Sequence, residues 1–419
     1  MAAPLDGIRV VEMATAIQGP AAGLYLSDMG ADVIKVEPPA GDANRYMRGV
    51  GNQLPADALG PQFIAMNRGK RSLAVDVHTD AGGKAVHQLI RSADVFLSNF
   101  RDEALQRMGM GQATLTELQP KLIYAIVNGY GPKGPDAGKS MLDGAAQARG
   151  GLVNATGPTD GMPMPAGAAI ADTAGAMQFA LAIMTALVAR ERHGVGQRVS
   201  TSALGAQLWL QMWEIQHCAM TGADLSREGV HHSNMRGPYG VYATADGGAF
   251  LLAVHMDEDA WAAFWAFVEM PEHASDPNWD NPGKRLGFPG TDEGLPEIRA
   301  ATARAFASKT TAQWEEFLAG QPEIIYERVR NYAEVLTDPQ NRANDYLVDM
   351  HHPGIGRVPV VGNLVHLETT PGRTGGPAPA LGEANDELLP QLGLSTEEIA
   401  ALSVHNGTIL AERMALLEA

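Results

Sequence analysis

Asp172 stands at the start of an apolar, Ala-rich helical stretch, "IADTAGAMQFALAIMTALVARER" (170–192). Two kinds of chemistry suit a carboxylate there. As an N-cap it accepts hydrogen bonds from the first free amides, and the helix field favours its charge. As a nucleophile it opens thioesters and other activated carbonyls to give an anhydride, and the same amides and field are expected to keep it ionised. The local sequence leaves both open. Further groups lie in "AIQGP" (16–20), "MNRGKRS" (66–72), "SNFR" (98–101) and "NGYGPKGPDAGK" (128–139). These segments bring Arg68, Lys70, Arg71, Arg101, Lys133 and Lys139, with Asn67 and Asn99 as neutral donors. Such a set suits phosphates, with solvated surface charge the alternative for each residue taken singly. No metal site is expected. His231 and His232 are adjacent, as are His351 and His352, and neither HExxH nor a His–Cys pair at ligand spacing occurs. A GxSxG elbow is also missing. The single cysteine, Cys218, has apolar helical neighbours and is expected to be inert and buried; a lone thiol fits a reducing compartment.

The elements that must position these groups alternate over the first 130 residues. "IRVVEM" (8–13), "ADVIKVEPP" (31–39), "RSLAVDV" (71–77), "DVFLSNF" (94–100) and "KLIYAIVNGYG" (121–131) read as strands. "GPAAGLYLSDMG" (19–30) and "AGGKAVHQLIRSA" (81–93) read as helices between them. That spacing predicts an α/β fold, a Rossmann-like, mostly parallel sheet with the candidate segments at strand ends, where open α/β sheets gather ligands. No GxGxxG follows the first strand, so a dinucleotide is not expected. Helices are predicted near 144–152 and 173–192, and "GQRVSTSALGAQLWLQMWEIQHCAM" reads as the start of a long aromatic-rich helix with Trp209 and Trp213 on one face, in core or subunit packing.

A composition shift at 221–238 precedes two strands about a "DGG" turn (239–254) and helical stretches at 257–268, 295–308 and 311–319. The predicted division is a large domain over 1–225, a smaller α+β domain over 226–330, and a return segment over 331–419. That segment carries short strands (354–368) and a terminal helix pair, and packs on the large domain or on a partner subunit. With 419 residues the chain has room for one large core and a second domain. Net charge is −17, without the basic footprint that nucleic acid requires. The N-terminus enters a strand within eight residues, with no signal pattern. The longest apolar helical stretch, 176–189, contains Gln178 and is too short for a bilayer, so a cytoplasmic protein without membrane partners is expected.

Taken in order, several segments resemble the class III CoA-transferase family, the group of formyl-CoA and carnitine CoA-transferases that also includes the α-methylacyl-CoA racemases. They are "LDGIRVVEMATAIQGPAAGLYLSDMGADVIKVEPPAGDANR", "MNRGKRSLAVDV", "ADVFLSNFR", "KLIYAIVNGYGPKGP", "LDGAAQARGGLVNATG", "ADTAGAMQFALAIMTALVARERHGVGQRVSTSAL", "HPGIGRVPVVGN" and "LGLSTEEIAAL". The likeness is weakest over 221–238 and 265–350. It implies that Asp172 is the catalytic aspartate, with or without a capping role, and that Gln18 orients the thioester. CoA is implied as substrate rather than as a tightly bound cofactor, held by Asn99 and Phe100 along the pantetheine and adenine path and by Arg45, Arg71 and Lys139 at its phosphates. An acyl-CoA donor, a carboxylic acid acceptor and an interlocking homodimer are implied as well.

Two departures bear on the reaction. Racemases carry a histidine before the aspartate of "GHD"; here the segment is "MLDG", and Leu142 cannot exchange a proton. Oxalate-type transferases have a glycine-rich loop, whereas "GVHHSNMRGPYGVY" has no glycine run. From that stretch Asn234, Arg236 and Gly237 are candidates to cover the site, with Arg236 or a histidine meeting an acceptor carboxylate. Asp257 stands near a racemase acidic position or caps a helix. CoA transfer is the expected activity, with a racemase or epimerase and a non-catalytic CoA-binding subunit as the alternatives.

Overall fold

The computed structural model describes residues 2–55, 58–253, 257–285 and 294–418. Strands β1 (Arg9–Met13), β2 (Asp32–Glu37), β3 (Arg71–Ala74), β4 (Val95–Ser98), β5 (Ile123–Asn128) and β6 (Gln197–Ser202) form one sheet. Their order is β3-β2-β1-β4-β5-β6, and every neighbouring pair is parallel. The order reverses between β1 and β4, so the ligand crevice of such a sheet opens at their carboxyl ends.

Successive side chains point to opposite faces of a strand, and both faces are apolar here. Val10, Val33, Val95, Leu97 and Ile123 pack with Leu26, Phe179 and Ile183 from the helices Gln18–Asp28 and Ile170–His193. Val11, Ile34, Phe96 and Tyr124 pack with Val86, Leu89 and Ile90 of the helix Asp80–Arg91, and with Leu388 and Leu402 from the far end of the chain. The return segment therefore belongs to this core. It also closes the β3 edge: Ala384 N donates to Ser72 O at 3.0 Å. The Asn385 side chain accepts from Ala74 N and donates to Ala74 O, both at 2.9 Å.

Three expectations are corrected. The stretch 197–202 is strand β6 rather than the start of a helix, and the helix beyond it breaks at Gln211 into Ala203–Leu210 and Met212–Thr221. Trp209 and Trp213 are 67% and 52% exposed, which sets aside core packing and leaves the subunit-packing alternative, and Cys218 is half-buried rather than buried. The helix Ile170–His193 runs 24 residues and is long and apolar enough, by length and composition, to cross a membrane. Here half of its most apolar window is buried, and it ends at Gly194, whose φ of 73° supplies the left-handed cap.

The chain divides into two units, the first comprising Met1–Arg149, Ala168–Leu210 and Leu336–Ala419, the second Gly150–Gly167 and Gln211–Val335. The second unit thus begins earlier than 226 and takes in 150–167 as well. Its sheet is antiparallel: β7 (Gly240–Ala243), β8 (Ala249–Ala253) and β9 (Ile325–Arg328). Residue 254, the expected end of a strand, lies outside the described residues. The core of this unit is aromatic, with Trp261, Phe264, Trp265, Phe306 and Trp314 buried together. In the first unit β10 (Leu347–His352) pairs antiparallel with β11 (Gly356–Val361).

Candidate active site

Gln18 and Asp172 lie 154 residues apart in sequence, and the fold brings them into contact. Gln18 opens the helix that leaves β1, and its Nε2 donates to Asp172 Oδ1 at 2.9 Å. Asp172 lies in the first turn of the helix Ile170–His193. Both side chains are largely buried, at 8% and 9% exposure. Gln18 Oε1 has no hydrogen-bond partner.

The loop that delivers Gln18 is tightly held. Asn99, just beyond β4, accepts from Thr15 N at 3.0 Å and donates to Thr15 O at 2.6 Å. Thr15 Oγ1 also donates to Asp42 Oδ1 at 3.0 Å. Between Thr15 and Gln18 the backbone turns through Ala16 with φ 61°, a left-handed conformation that alanine seldom adopts.

The capping reading of Asp172 is corrected. The N-cap residue is Ala169, which offers no side-chain acceptor, and Asp172 is the third residue inside the helix. Its amide is satisfied from outside: Asp143 Oδ1 accepts from Asp172 N at 3.0 Å. Asp143 Oδ2 in turn accepts from Gln147 Nε2 at 2.5 Å, and Gln147 also donates to Ala168 O. Asp143 is therefore a site residue that sequence reasoning passed over. Its signal was Asp-x-x-x-Gln at helical spacing within "LDGAAQ".

The expectation of a readily ionised Asp172 is corrected too. Burial lifts its carboxyl to about 6, the neighbouring Asp143 charge adds to the lift, and the Gln18 hydrogen bond opposes it. A carboxylate poised near neutrality, with one amide donor and little water, is less stabilised than a solvated one and correspondingly more nucleophilic.

A cleft of about 310 Å³ opens at the carboxyl ends of β1 to β4, lined among others by Thr15, Lys35, Pro38, Asp42, His78 and Phe100. Gln18 and Asp172 are not among its lining residues, and Thr15 links it to the loop that delivers Gln18. Phe100 is one of the residues that line this cleft. The Asn99 side chain beside it is given over to Thr15.

The expected phosphate ligands are dispersed. Arg45 is corrected: it is 2% exposed, with Nε and Nη2 donating to Glu37, Nη1 to Pro379 O, and its guanidinium 3.9 Å from the Phe63 ring centroid. A charge so buried needs its partner, and this one is spent on the cleft wall. Arg71 is corrected for a different reason. It begins β3 and reaches Asp32 at the amino end of β2 (3.6 Å) and Glu387 (2.8 Å), at the sheet edge opposite the cleft. Arg68 and Lys70 are buried against Asp28 and Glu12, and burial, opposed by Glu12, draws the Lys70 ammonium down to about 8. Lys139 lies in the loop that follows β5: exposed, 5.7 Å from the Tyr130 ring, which Arg149 also faces at 5.3 Å. Arg101 donates to Ser140 Oγ in the same loop.

In the second unit Asp257 caps the helix Glu258–Phe267, accepting from Ala260 N at 2.7 Å. The stretch around Arg236 and Gly237 is tied down by Arg299, which donates to Gly237 O and Met235 O and pairs with Glu228 at 2.9 Å. Asn234 donates to Glu214 at 3.3 Å. Among the described residues no three His, Cys, Asp or Glu side chains gather where they could hold a metal.

A parallel sheet of this order, with a buried carboxylate and amide beside its switch point, defines a doubly wound α/β protein, a fold in which ligands bind on the carboxyl side of the strands. The chain belongs to CoA-transferase family III, whose family model matches residues 5–385. It is 31% identical over 397 residues to the succinyl-CoA:mesaconate CoA-transferase of Haloarcula hispanica, covering 94% of this chain and 97% of that one. It is 32% identical over 396 residues to the succinate–glutarate CoA-transferase of Agrobacterium fabrum, covering 93% and 96%. Among solved structures a CAIB/BAIF family protein from Brucella suis superposes with a TM-score of 0.82 at 28% identity, covering 94% of this chain and all of that one.

Proposed function

We propose that the protein moves CoA from an acyl-CoA to a carboxylic acid through covalent chemistry on Asp172. The observation that carries this reading is the buried Gln18–Asp172 contact, formed where the helix leaves β1 at the switch point of the sheet. Asp172 attacks the thioester carbonyl, forming a mixed anhydride and releasing the CoA thiolate. The thiolate attacks the aspartyl carbonyl, giving an enzyme thioester and freeing the donor acid. The acceptor carboxylate then displaces CoA to form a second anhydride. Attack of the thiolate on its acceptor-side carbonyl yields the new acyl-CoA and restores Asp172. No proton is gained or lost overall, so the site requires no separate acid or base. Leu142 occupies the racemase histidine position, is 79% exposed and offers no proton, which disfavours epimerisation.

The acids named for the two relatives, mesaconate and glutarate, are dicarboxylates, paired in one name with succinyl-CoA and in the other with succinate. Succinyl-CoA with a four- or five-carbon dicarboxylic acid is accordingly the pairing to test first. Incubation should give the acceptor's CoA ester by mass spectrometry, and hydroxylamine should trap a hydroxamate on Asp172. Absence of any new CoA ester across a panel of donors and acids, with folded protein, would overturn the proposal.

The protein is further proposed to act as a homodimer. Met177, Leu181 and Val188 on the helix Ile170–His193 and Leu208 and Trp209 on the next helix are exposed, and such apolar faces favour a partner of the same chain. Light scattering is expected to give twice the chain mass of 44.4 kDa. A single-chain mass unchanged over a wide concentration range would count against it.

A further inference from the structure

Gly175 is buried one turn beyond Asp172 in the helix Ile170–His193. Glycine inside a helix costs stability relative to alanine, so its presence there calls for a reason. A Cβ at this position would lie 2.8 Å from Gln18 Oε1, 3.3 Å from its Cδ and 3.4 Å from its Cγ, with no other atom among the nearest three. The closest obstruction is the Gln18 side chain. Its backbone has no room to retreat: Asn99 holds Thr15 by both main-chain groups, Ala16 is already turned into the left-handed region, and a Cβ on Gly19 would meet Ala14 Cβ at 2.4 Å.

We infer that Gly175 is a positioning residue: it leaves the space in which the Gln18 amide rests against Asp172. The inference rests on the reading of Asp172 as the reacting group. An alanine methyl at 175 relieves its clash by rotating Gln18, because the end of a long side chain moves at less cost than a helix backbone. The amide then leaves Asp172, and misplacement of a catalytic group by about 1 Å costs about 100-fold in rate. Loss of that donor also removes the one interaction opposing the upward shift of the Asp172 carboxyl.

The experiment compares the wild type, Gly175→Ala, Gln18→Ala and the double variant in the CoA-transfer assay, by thermal melting, and by carbodiimide labelling of Asp172 against pH, read by mass spectrometry. Gly175→Ala is expected to melt at or above the wild-type temperature, to lose about 10- to 100-fold in kcat with KM for acyl-CoA changed less than about 3-fold, and to accept label at higher pH. In the Gln18→Ala background the same alanine should cost nothing more. Wild-type kcat in Gly175→Ala, an equal fold-loss with and without Gln18, or a clearly lower melting temperature would each overturn the inference. If the wild type transfers no CoA, the catalytic reading fails by that result, and the labelling profile with the melting temperatures still decides whether Gly175 sets the Gln18–Asp172 contact.

Discussion

Asp172→Asn should keep its fold and lose turnover by roughly 10⁴-fold or more, the scale on which a lost nucleophile acts. Asparagine matches aspartate in shape, and the helix start does not depend on the side chain at 172, because Asp143 satisfies the amide there. Stability should move the other way. The folded carboxyl titrates near 6 against an ordinary 3.8, so between those values the folded chain keeps a proton that the unfolded chain has released. Stability therefore falls as pH rises from about 4 to about 6, and the penalty persists above that. Asp172→Asn lacks it, so the variant should melt at or above the wild-type temperature at pH 8. The wild-type advantage should return near pH 4. The transfer rate of the wild type should climb with pH through about 6 as the carboxyl ionises. Turnover retained by Asp172→Asn, with deamidation ruled out by mass spectrometry, would remove the nucleophile assignment.

Arg45→Ala should be destabilised by about 3–5 kcal/mol in denaturant unfolding, the usual cost of stripping one partner from a buried ion pair. The variant leaves Glu37 facing the protein interior with Ser72 Oγ and the Asp42 amide as its remaining donors. A double replacement, Arg45→Met with Glu37→Gln, should recover much of the loss, because it leaves no unpaired charge. The competing assignment, a phosphate contact, predicts normal stability and weakened CoA binding. Calorimetric CoA affinity beside the unfolding curve separates the two.

The strands β1 to β5 were legible because buried parallel strands are near-continuous apolar runs, as in "IRVVEM" and "KLIYAIVN". β6 was not. "QRVSTS" lies at the sheet edge with no residue fully buried, so it carries neither an apolar run nor a clean alternation. Asp172 was visible locally as a carboxylate at a helix start, but its contact with Gln18 spans 154 positions, and only the family resemblance pointed to it. The basic residues were legible by type and illegible by role. Arg45, Arg68 and Lys70 look like ligand groups in sequence, yet each meets an acid 8, 40 and 58 positions away. Pairing at such distances leaves no local pattern. Arg71 was misplaced for a geometric reason: a residue that opens a strand and one that closes it lie on opposite rims of a parallel sheet.

The closure of the β3 edge by Asn385 sets a timetable for synthesis. Ala74 and the residue that covers it are separated by 311 positions. At about 5–20 residues per second, roughly 15 to 60 s pass on the ribosome between the two. Throughout that interval β3 presents an open row of amides and carbonyls, the feature through which nascent chains adhere to one another. Segments of the first unit flank the second unit in chain order, so its capture by chaperones matters most while the second unit is being made.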